Sequence, residues 1–232
     1  MNFLKIKETI NPKTVIDVGA NTGWFASNLY QVCPNCDIIM LESNPYCEEE
    51  LSKIGHSYGI VALSNEANKK ITFYINRDDL VCCGASFYKE DTKFYDDCIE
   101  IELETHTLDE GELFLEEGVD LLKIDVQGSE KDIIQGSLET LKRTKNVLLE
   151  CSFSNYNFGS PQIEEVIESM EELGFYVNDI IEEHWSRPGI DFPSRVVHQI
   201  DVLFSKVFDD EKNHLCLEQI QNYRKKFDEE MK

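Results

Sequence analysis

The chain has 232 residues, of which 41% are hydrophobic and 10% aromatic, so it can bury a core and is not of the disordered class. Its 45 acidic and 22 basic residues give a formal net charge of −23, which repels nucleic-acid phosphates and anionic lipid surfaces. It contains no apolar run of about 18 residues, and residues 1–13 lack a signal-peptide core, so we expect a cytoplasmic globular protein with one domain over residues 1–232.

Strands and helices alternate in the first part of the chain. Short apolar runs predict buried strands, and apolar positions three or four residues apart predict helices. The predicted order is strand 14–19, helix 24–32, strand 37–43, helix 45–54 and strand 58–64. Between residues 69 and 107 the period falls to two, which predicts antiparallel strands at 69–76 and 98–107 around a loop containing CCGASFY (82–88).

The alternation of strands and helices then returns. The predicted order is strand 119–126, helix 128–144, strand 145–153, helix 161–174, strand 175–183, strand 198–207 and a charged terminal helix, 209–232. This order predicts a mostly parallel sheet covered by helices on both faces, with ligands bound at the carboxyl ends of the strands.

Eight cysteines in a chain of this length do not form the pattern of a small disulfide-stabilised protein. Cys33 and Cys36 have C-x-x-C spacing, but they lie at the predicted end of a helix rather than at its start, where the dipole would lower a thiol pKa. Cys82 and Cys83 are adjacent and lack zinc-site spacing. We therefore expect reduced thiols without a metal or redox role.

The stretch TVIDVGANTG (14–23) joins the first strand to the first helix through Gly19 and Gly23. A P-loop would need a lysine where this chain has Trp24, and a dinucleotide turn would need a glycine where it has Asn21. The turn therefore disfavours ATP and NAD.

The remaining pattern fits a ligand with an adenosine and a charged amino-acid tail but no phosphate. The amides that open the following helix can face a carboxylate, and Asp17 can meet an ammonium group directly or through water. Glu42 ends the second predicted strand, where a carboxylate can accept both hydroxyls of a ribose. S-adenosylmethionine has this set of groups.

An ordered series of motifs resembles the FkbM-type methyltransferase family from about residue 13 to residue 155. The motifs are VIDVGANTGWF, LESNP, VALSNEANKKITFY, GASFY, THTLDE, LLKIDVQGSEKDIIQGS and VLLECSF, with a weaker match in IDVLF. The resemblance implies an α/β class I methyltransferase fold: a Rossmann-like three-layer sandwich with strand order 3-2-1-4-5-7-6, an antiparallel last strand and an added β excursion. It also implies S-adenosylmethionine-dependent O-methylation, commonly of a sugar hydroxyl in a glycan, glycoconjugate or glycosylated natural product. Gln127 departs from the family pattern, which has an acid there.

The resemblance assigns cofactor roles residue by residue. The implied cofactor-binding residues are Asp17, Gly19, Ala20, Asn21, Gly23, Glu42, Ser43, Leu63, Ser64 and Asp125. Leu63 and Ser64 would border the adenine, and Asp125 would lie near the transferring methyl.

Methyl transfer to a hydroxyl needs the acceptor oxygen held behind the methyl group and a base or a metal to assist its deprotonation. Asp125 is a candidate base by position, and His184 is a candidate because the ordinary pKa of histidine lies near neutrality. We expect His184 in a rim loop, residues 184–192, where Trp185 and Arg187 can contact the C–H face and the polar groups of a sugar. A surface histidine without a catalytic role fits the pattern equally well.

Glu150 ends the fifth strand of the parallel series, where it recognises a substrate hydroxyl or caps a helix. Asp125, Glu130 and Glu150 together could hold a divalent metal, but the pattern does not favour one, because the helix dipole alone explains an acid at the position of Glu130.

Two rival functions remain. A nucleic-acid methyltransferase of the same fold would carry its base-binding box after the fourth strand of the parallel series, where this chain has DVQG, and the charge of −23 also argues against it. A non-enzymatic binding module would have lost the glycine turn or Asp125, and the chain keeps both. We therefore expect a carbohydrate acceptor, no nucleic acid and no membrane insertion.

Overall fold

The computed structural model describes residues 1–89, 95–111, 118–154, 161–188, 192 and 194–231. The strands in these ranges are β1 (Thr14–Val18), β2 (Asp37–Glu42), β3 (Ser57–Ile60), β4 (Ala62–Leu63), β5 (Lys70–Asn76), β6 (Cys98–His106), β7 (Val119–Ile124), β8 (Thr144–Ser152), β9 (Tyr176–Trp185) and β10 (Val197–Ser205). The α-helices are α1 (Phe3–Thr9), α2 (Trp24–Val32), α3 (Glu48–Leu51), α4 (Glu130–Gln135), α5 (Leu138–Lys142), α6 (Ile163–Glu172) and α7 (Asp210–Glu230). None of the described helices is both long enough and apolar enough to cross a membrane.

Seven strands form one sheet in the order β3-β2-β1-β7-β8-β10-β9. The strands from β3 to β8 pair in parallel, and β10 runs antiparallel to both β8 and β9. Counted along the parallel series, this is the order 3-2-1-4-5-7-6 with an antiparallel last strand. The predicted class I methyltransferase fold is thereby confirmed.

Alternating side chains of the central strands explain why helices cover both faces of the sheet. Ile16 and Leu122 pack with helices α4 to α7 on one face, whereas Val15 and Leu121 pack with helices α1 to α3 on the other. Because β1 and β7 are buried on both faces, their carboxyl ends are held rigidly at one edge of the sheet.

The predicted β excursion is present as a second, three-stranded sheet in the order β4-β6-β5. The third predicted strand, 58–64, is divided: β3 stays in the main sheet, whereas β4 pairs with β6. The predicted helix 128–144 is also divided, at Gly136, which packs so closely that a Cβ there would lie 2.1 Å from the carbonyl oxygen of Ser64. Helix α1 was not predicted; its Phe3 ring packs on Trp24 and Phe25.

Candidate active site

The glycine turn after β1 has backbone geometry that requires its sequence. Gly19 and Gly23 have φ values of 75° and 79°, and Asn21 lies between them with φ 48°. A Cβ on Gly19 would lie 1.8 Å from the carbonyl oxygen of Asp125. Only glycine therefore lets the end of β1 approach the residue that follows β7.

Glu42 ends β2 beside this turn, and its carboxylate is held by two backbone amides. Asn21 N donates to Oε2 at 2.6 Å, and Asn44 N donates to Oε1 at 2.8 Å. Burial raises the pKa of Glu42, and these hydrogen bonds oppose the rise. Each oxygen keeps a lone pair for a further donor, so the carboxylate is oriented but not saturated.

A pocket opens between the ends of β1, β2 and β7. Half of the ten predicted cofactor residues line it, namely Gly19, Asn21, Glu42, Ser43 and Asp125. Its other lining residues come from the segment after β7, from α4 and from the β excursion: Val126, Gln127, Ser129, Ile133, Phe73, Cys82, Cys83, Ala85 and Phe87.

The other predicted cofactor residues do not line this pocket. Ala20 and Gly23 lie behind it in the turn, and Leu63 and Ser64 are buried in and after β4. Asp17 is fully buried, and its Oδ1 lies 3.1 Å from Lys123 Nζ. Contact between Asp17 and a ligand's ammonium group, directly or through water, stays a prediction; in this structure a lysine of the chain itself lies against the carboxylate.

Lys123 is a buried charged residue beside the pocket that the sequence analysis missed. Its Nζ also lies 3.3 Å from Asp125 Oδ2, and the ring of Phe25 lies 5.2 Å away. Burial lowers the pKa of Lys123, but the carboxylates of Asp125 and Asp17 more than offset this, and the pKa is raised. Lys123 thus forms ion pairs both with Asp125, which lines the pocket, and with Asp17, which is buried beneath it. A charged residue inside the apolar run LLKI was the available signal.

One wall of the pocket is a segment of the β excursion, residues 77–89, which we call the strap. The side-chain amide of Asn21 donates to the carbonyl oxygen of Val81 at 3.0 Å. The Ser86 hydroxyl donates to the carbonyl oxygen of Gln127 at 2.7 Å. The strap therefore fastens to the glycine turn on one side and to the segment after β7 on the other.

A second polar group lies on β8, β9 and β10. Nε2 of His184 is 3.0 Å from Oδ2 of Asp201 and 3.9 Å from Oε1 of Glu150. Burial lowers the pKa of His184, but Asp201 outweighs this effect and the pKa is raised. The pKa of Glu150 is raised by burial and then by the neighbouring carboxylates, Asp125 first.

The placement of His184 corrects the sequence analysis. His184 and Trp185 are the last residues of β9 and pair with Gln199 and Val197 of β10, so the predicted loop 184–192 is wrong at its start. The pairing of β9 with β10 extends to Trp185, beyond the strand that the apolar pattern predicted for residues 175–183. Arg187 follows the strand and is exposed, while residues 189–191 lie outside the described residues.

Trp185 offers an open face on the same edge of the sheet. Its side chain is 44% exposed, its indole N–H donates to Glu183, and the guanidinium of Arg195 lies 5.3 Å from the ring.

Gln127 joins the pocket to the second polar group. Its Nε2 donates to Glu150 Oε2 at 2.8 Å and to Asp125 Oδ1 at 3.3 Å. Its φ of 58° is unusual for a residue other than glycine. The amide occupies the space between two carboxylates and keeps them from direct contact.

The trio that could have held a metal but was not favoured by the sequence, Asp125, Glu130 and Glu150, does not form a ligand cluster within the described residues. Glu130 accepts hydrogen bonds from the backbone N–H groups of Val126 and Gly128, and burial raises its pKa to about 7. It holds the turn that carries Gln127 rather than facing Glu150.

Comparison with known proteins places this site in a family. A model of the FkbM methyltransferase domain matches residues 17–177. A methyltransferase FkbM structure from Methylobacillus flagellatus matches with 11% identity and a TM-score of 0.46 over 84% of this chain, which spans 44% of that protein.

Two further solved structures are similar at the level of the fold. A precorrin-6y C5,15-methyltransferase from Geobacter metallireducens matches with 13% identity and a TM-score of 0.47, over 88% of this chain and 84% of that one. A 1,6-didemethyltoxoflavin N1-methyltransferase from Burkholderia thailandensis, with S-adenosylhomocysteine bound, matches with 10% identity and a TM-score of 0.46. The match covers 89% of this chain and 76% of that one. No curated protein matches the sequence. Because the family model matches more than half of the chain's length, the chain belongs to the FkbM methyltransferase family.

Proposed function

We propose that the chain transfers a methyl group from S-adenosylmethionine to a sugar hydroxyl of a glycan, glycoconjugate or glycosylated natural product. The observation that carries the proposal is the pocket in which the glycine turn, Glu42 and Asp125 converge at the carboxyl ends of three parallel strands. This is the position at which open α/β sheets bind their ligands.

The residues that line the pocket fit the proposed cofactor. Gly19 lines the pocket, Glu42 offers oriented lone pairs to ribose hydroxyls, and Asn21 and Ser43 line the pocket beside it. The predicted cofactor residues that do not line the pocket support the residues that do; they are Ala20, Gly23, Leu63 and Ser64. Asp17 acts indirectly, through its ion pair with Lys123. When bound, S-adenosylmethionine supplies an electrophilic methyl group on a sulfonium.

The acceptor side is formed by the second polar group and its rim. Asp125 lines the pocket and is the base that takes the hydroxyl proton. Glu150 and His184, joined to Asp125 through Gln127, act on the same hydroxyl. Trp185 presents an exposed ring to the sugar's C–H face, and the exposed Arg187 holds its polar groups.

Charge and thiol content support the class of acceptor and the location. A formal charge of −23 favours a neutral or cationic acceptor over nucleic acid. The eight cysteines are free thiols, which the reducing cytoplasm preserves. A non-enzymatic binding module would need neither Asp125 at the pocket nor the acids beside it.

The test is transfer of a labelled methyl group from S-adenosylmethionine to a panel of glycans, with products identified by mass spectrometry. Asp125→Asn is the paired variant, and we expect it to lose transfer while it still binds S-adenosylhomocysteine. Methylation of proteins or RNA but of no carbohydrate would refute the acceptor class. Failure to bind S-adenosylhomocysteine in a thermal-shift assay would refute the cofactor.

A further inference from the structure

We propose that Glu150, His184 and Asp201 form a binding site for a divalent transition-metal cation on the acceptor side of the pocket. One ligand atom from each residue lies within 4.8 Å of the other two. The site differs from the trio that the sequence analysis considered and did not favour, since it uses neither Asp125 nor Glu130.

The two carboxylates converge on one nitrogen. Nε2 of His184 lies 3.0 Å from Oδ2 of Asp201 and 3.9 Å from Oε1 of Glu150. Ligands bound to one ion at about 2.1 Å lie roughly 3 to 4 Å from each other, so these separations suit a shared cation.

Neighbouring strands hold these ligands rigidly. Asp201 on β10 lies directly opposite Glu150 on β8, and His184 lies on β9, the other neighbour of β10. Asp201 is only 3% exposed. Ligands on paired strands keep their spacing better than ligands on loops, so little ordering is needed when an ion binds.

The groups around Glu150 orient it as a ligand. The amides of Gln127 and Gln199 both donate to its Oε2, at 2.8 and 3.2 Å, and leave Oε1 on the side of His184. Hydrogen bonds of this kind to the outer atoms of ligating residues fix their direction in metal sites.

The local charge also calls for a cation. Asp201 is buried and Glu150 is partly buried, and Lys123 pairs with Asp17 and Asp125. Within the described residues, no lysine or arginine forms a recorded ion pair with Glu150 or Asp201. Buried carboxylates are costly unless a positive charge accompanies them.

The donor set selects the ion. One imidazole and two carboxylates suit Mn²⁺, Fe²⁺ or Zn²⁺ better than Ca²⁺ or Mg²⁺, which prefer oxygen ligands alone. Three protein ligands leave coordination positions open, and a cation there can bind a hydroxyl and make it more acidic. This role rests on the proposed function, but the binding of the ion does not.

The experiment measures binding of Mn²⁺ and of Zn²⁺ to the metal-free full chain by calorimetry, with Mn²⁺ followed also by electron paramagnetic resonance. S-adenosylmethionine and acceptor are absent, so a failure of methyl transfer leaves the result intact, and failure to bind metal leaves the proposed methyl transfer intact. We expect one ion per chain. His184→Gln and Asp201→Asn should each weaken binding at least tenfold, and Gln199→Leu should weaken it less.

The matched control is His214→Ala, which removes another histidine that lies 3.4 Å from a glutamate, Glu218, on exposed α7. This variant should bind as the parent chain does. If the buried Asp201→Asn fails to fold, His184→Gln decides, because its side chain is 35% exposed and tolerates exchange. Absence of binding, or binding that His184→Gln leaves unchanged, would overturn the proposal.

Discussion

Replacing Lys123 with methionine tests the buried ion pairs beneath the pocket. Lys123 Nζ lies 3.1 Å from Asp17 and 3.3 Å from Asp125, and the three side chains are 4%, 0% and 31% exposed respectively. Asp125 can turn to water when the lysine is removed, but Asp17 cannot. Methionine keeps an unbranched apolar side chain in the same space, so the variant removes chiefly the charge.

The expected loss follows from the uncompensated carboxylate of Asp17. Removing one partner of a buried ion pair costs about 3–5 kcal/mol. In a protein of this size each kcal/mol lowers Tm by about 2–4 °C, so we expect a fall of roughly 6–20 °C.

The loss should depend on pH with a defined sign. Burial already raises the pKa of Asp17, and without Lys123 it rises further. The folded variant then binds a proton that the unfolded chain has released, so the variant regains stability as the pH is lowered and loses it as the pH rises through the folded-state pKa.

The assay is urea denaturation followed by circular dichroism at pH 8 and at pH 5. Lys53→Met is the matched control, since Lys53 is half exposed and pairs only with Glu49 and Glu50 on the surface. Adding Asp17→Asn to Lys123→Met should restore part of the stability at pH 8. A loss no larger than that of Lys53→Met, or a double variant no more stable than the single one, would refute the reasoning.

Three further predictions concern the pocket and its rim. Glu42→Ala should weaken the binding of S-adenosylhomocysteine by about 1–3 kcal/mol in calorimetry, because a buried hydrogen-bonding partner is lost. An unchanged Kd would show that the ribose binds elsewhere. Glu130 has its pKa raised from 4.5 to about 7, so the free energy of unfolding should fall by up to about 3 kcal/mol as the pH rises between these values. Glu130→Gln should flatten that dependence in urea titrations, and an unaltered slope would contradict the assignment. Trp185→Ala should raise the KM for the acceptor and leave the Kd of S-adenosylhomocysteine unchanged, whereas equal effects on both would show that the ring contacts the cofactor.

The strand order was implied by the resemblance to the FkbM family, whereas the individual elements and the glycine turn could be predicted from local patterns. Apolar runs and helical stripes mark the elements, and the separation of Gly19 from Gly23 restricts the turn before any tertiary contact is known. Glu42 follows from the same logic, since it ends a strand next to β1. Its carboxylate lines the pocket as the pattern implied.

The grouping of Glu150, His184 and Asp201 could not be predicted, because strand pairing brings these residues together. Asp201 lies in the apolar run IDVLF and contacts His184, 17 residues away, only after β9 and β10 align. The alternation in EEHW does not reveal how far that ladder extends. Both Asp201 and Lys123 are charges within apolar runs, which predicts a buried partner without identifying it.

The attachment of the strap separates ligand exchange from unfolding. The strap is joined to the rest of the pocket by side-chain hydrogen bonds from Asn21, Asn44 and Ser86, each worth about 0.5–1.5 kcal/mol net, and by the packing of Phe87 on Phe73. None of these contacts belongs to the seven-stranded sheet, so we expect their loss to leave that sheet intact. We therefore expect substitutions in residues 77–89 to change the residence time of a bound ligand more than the stability of the fold.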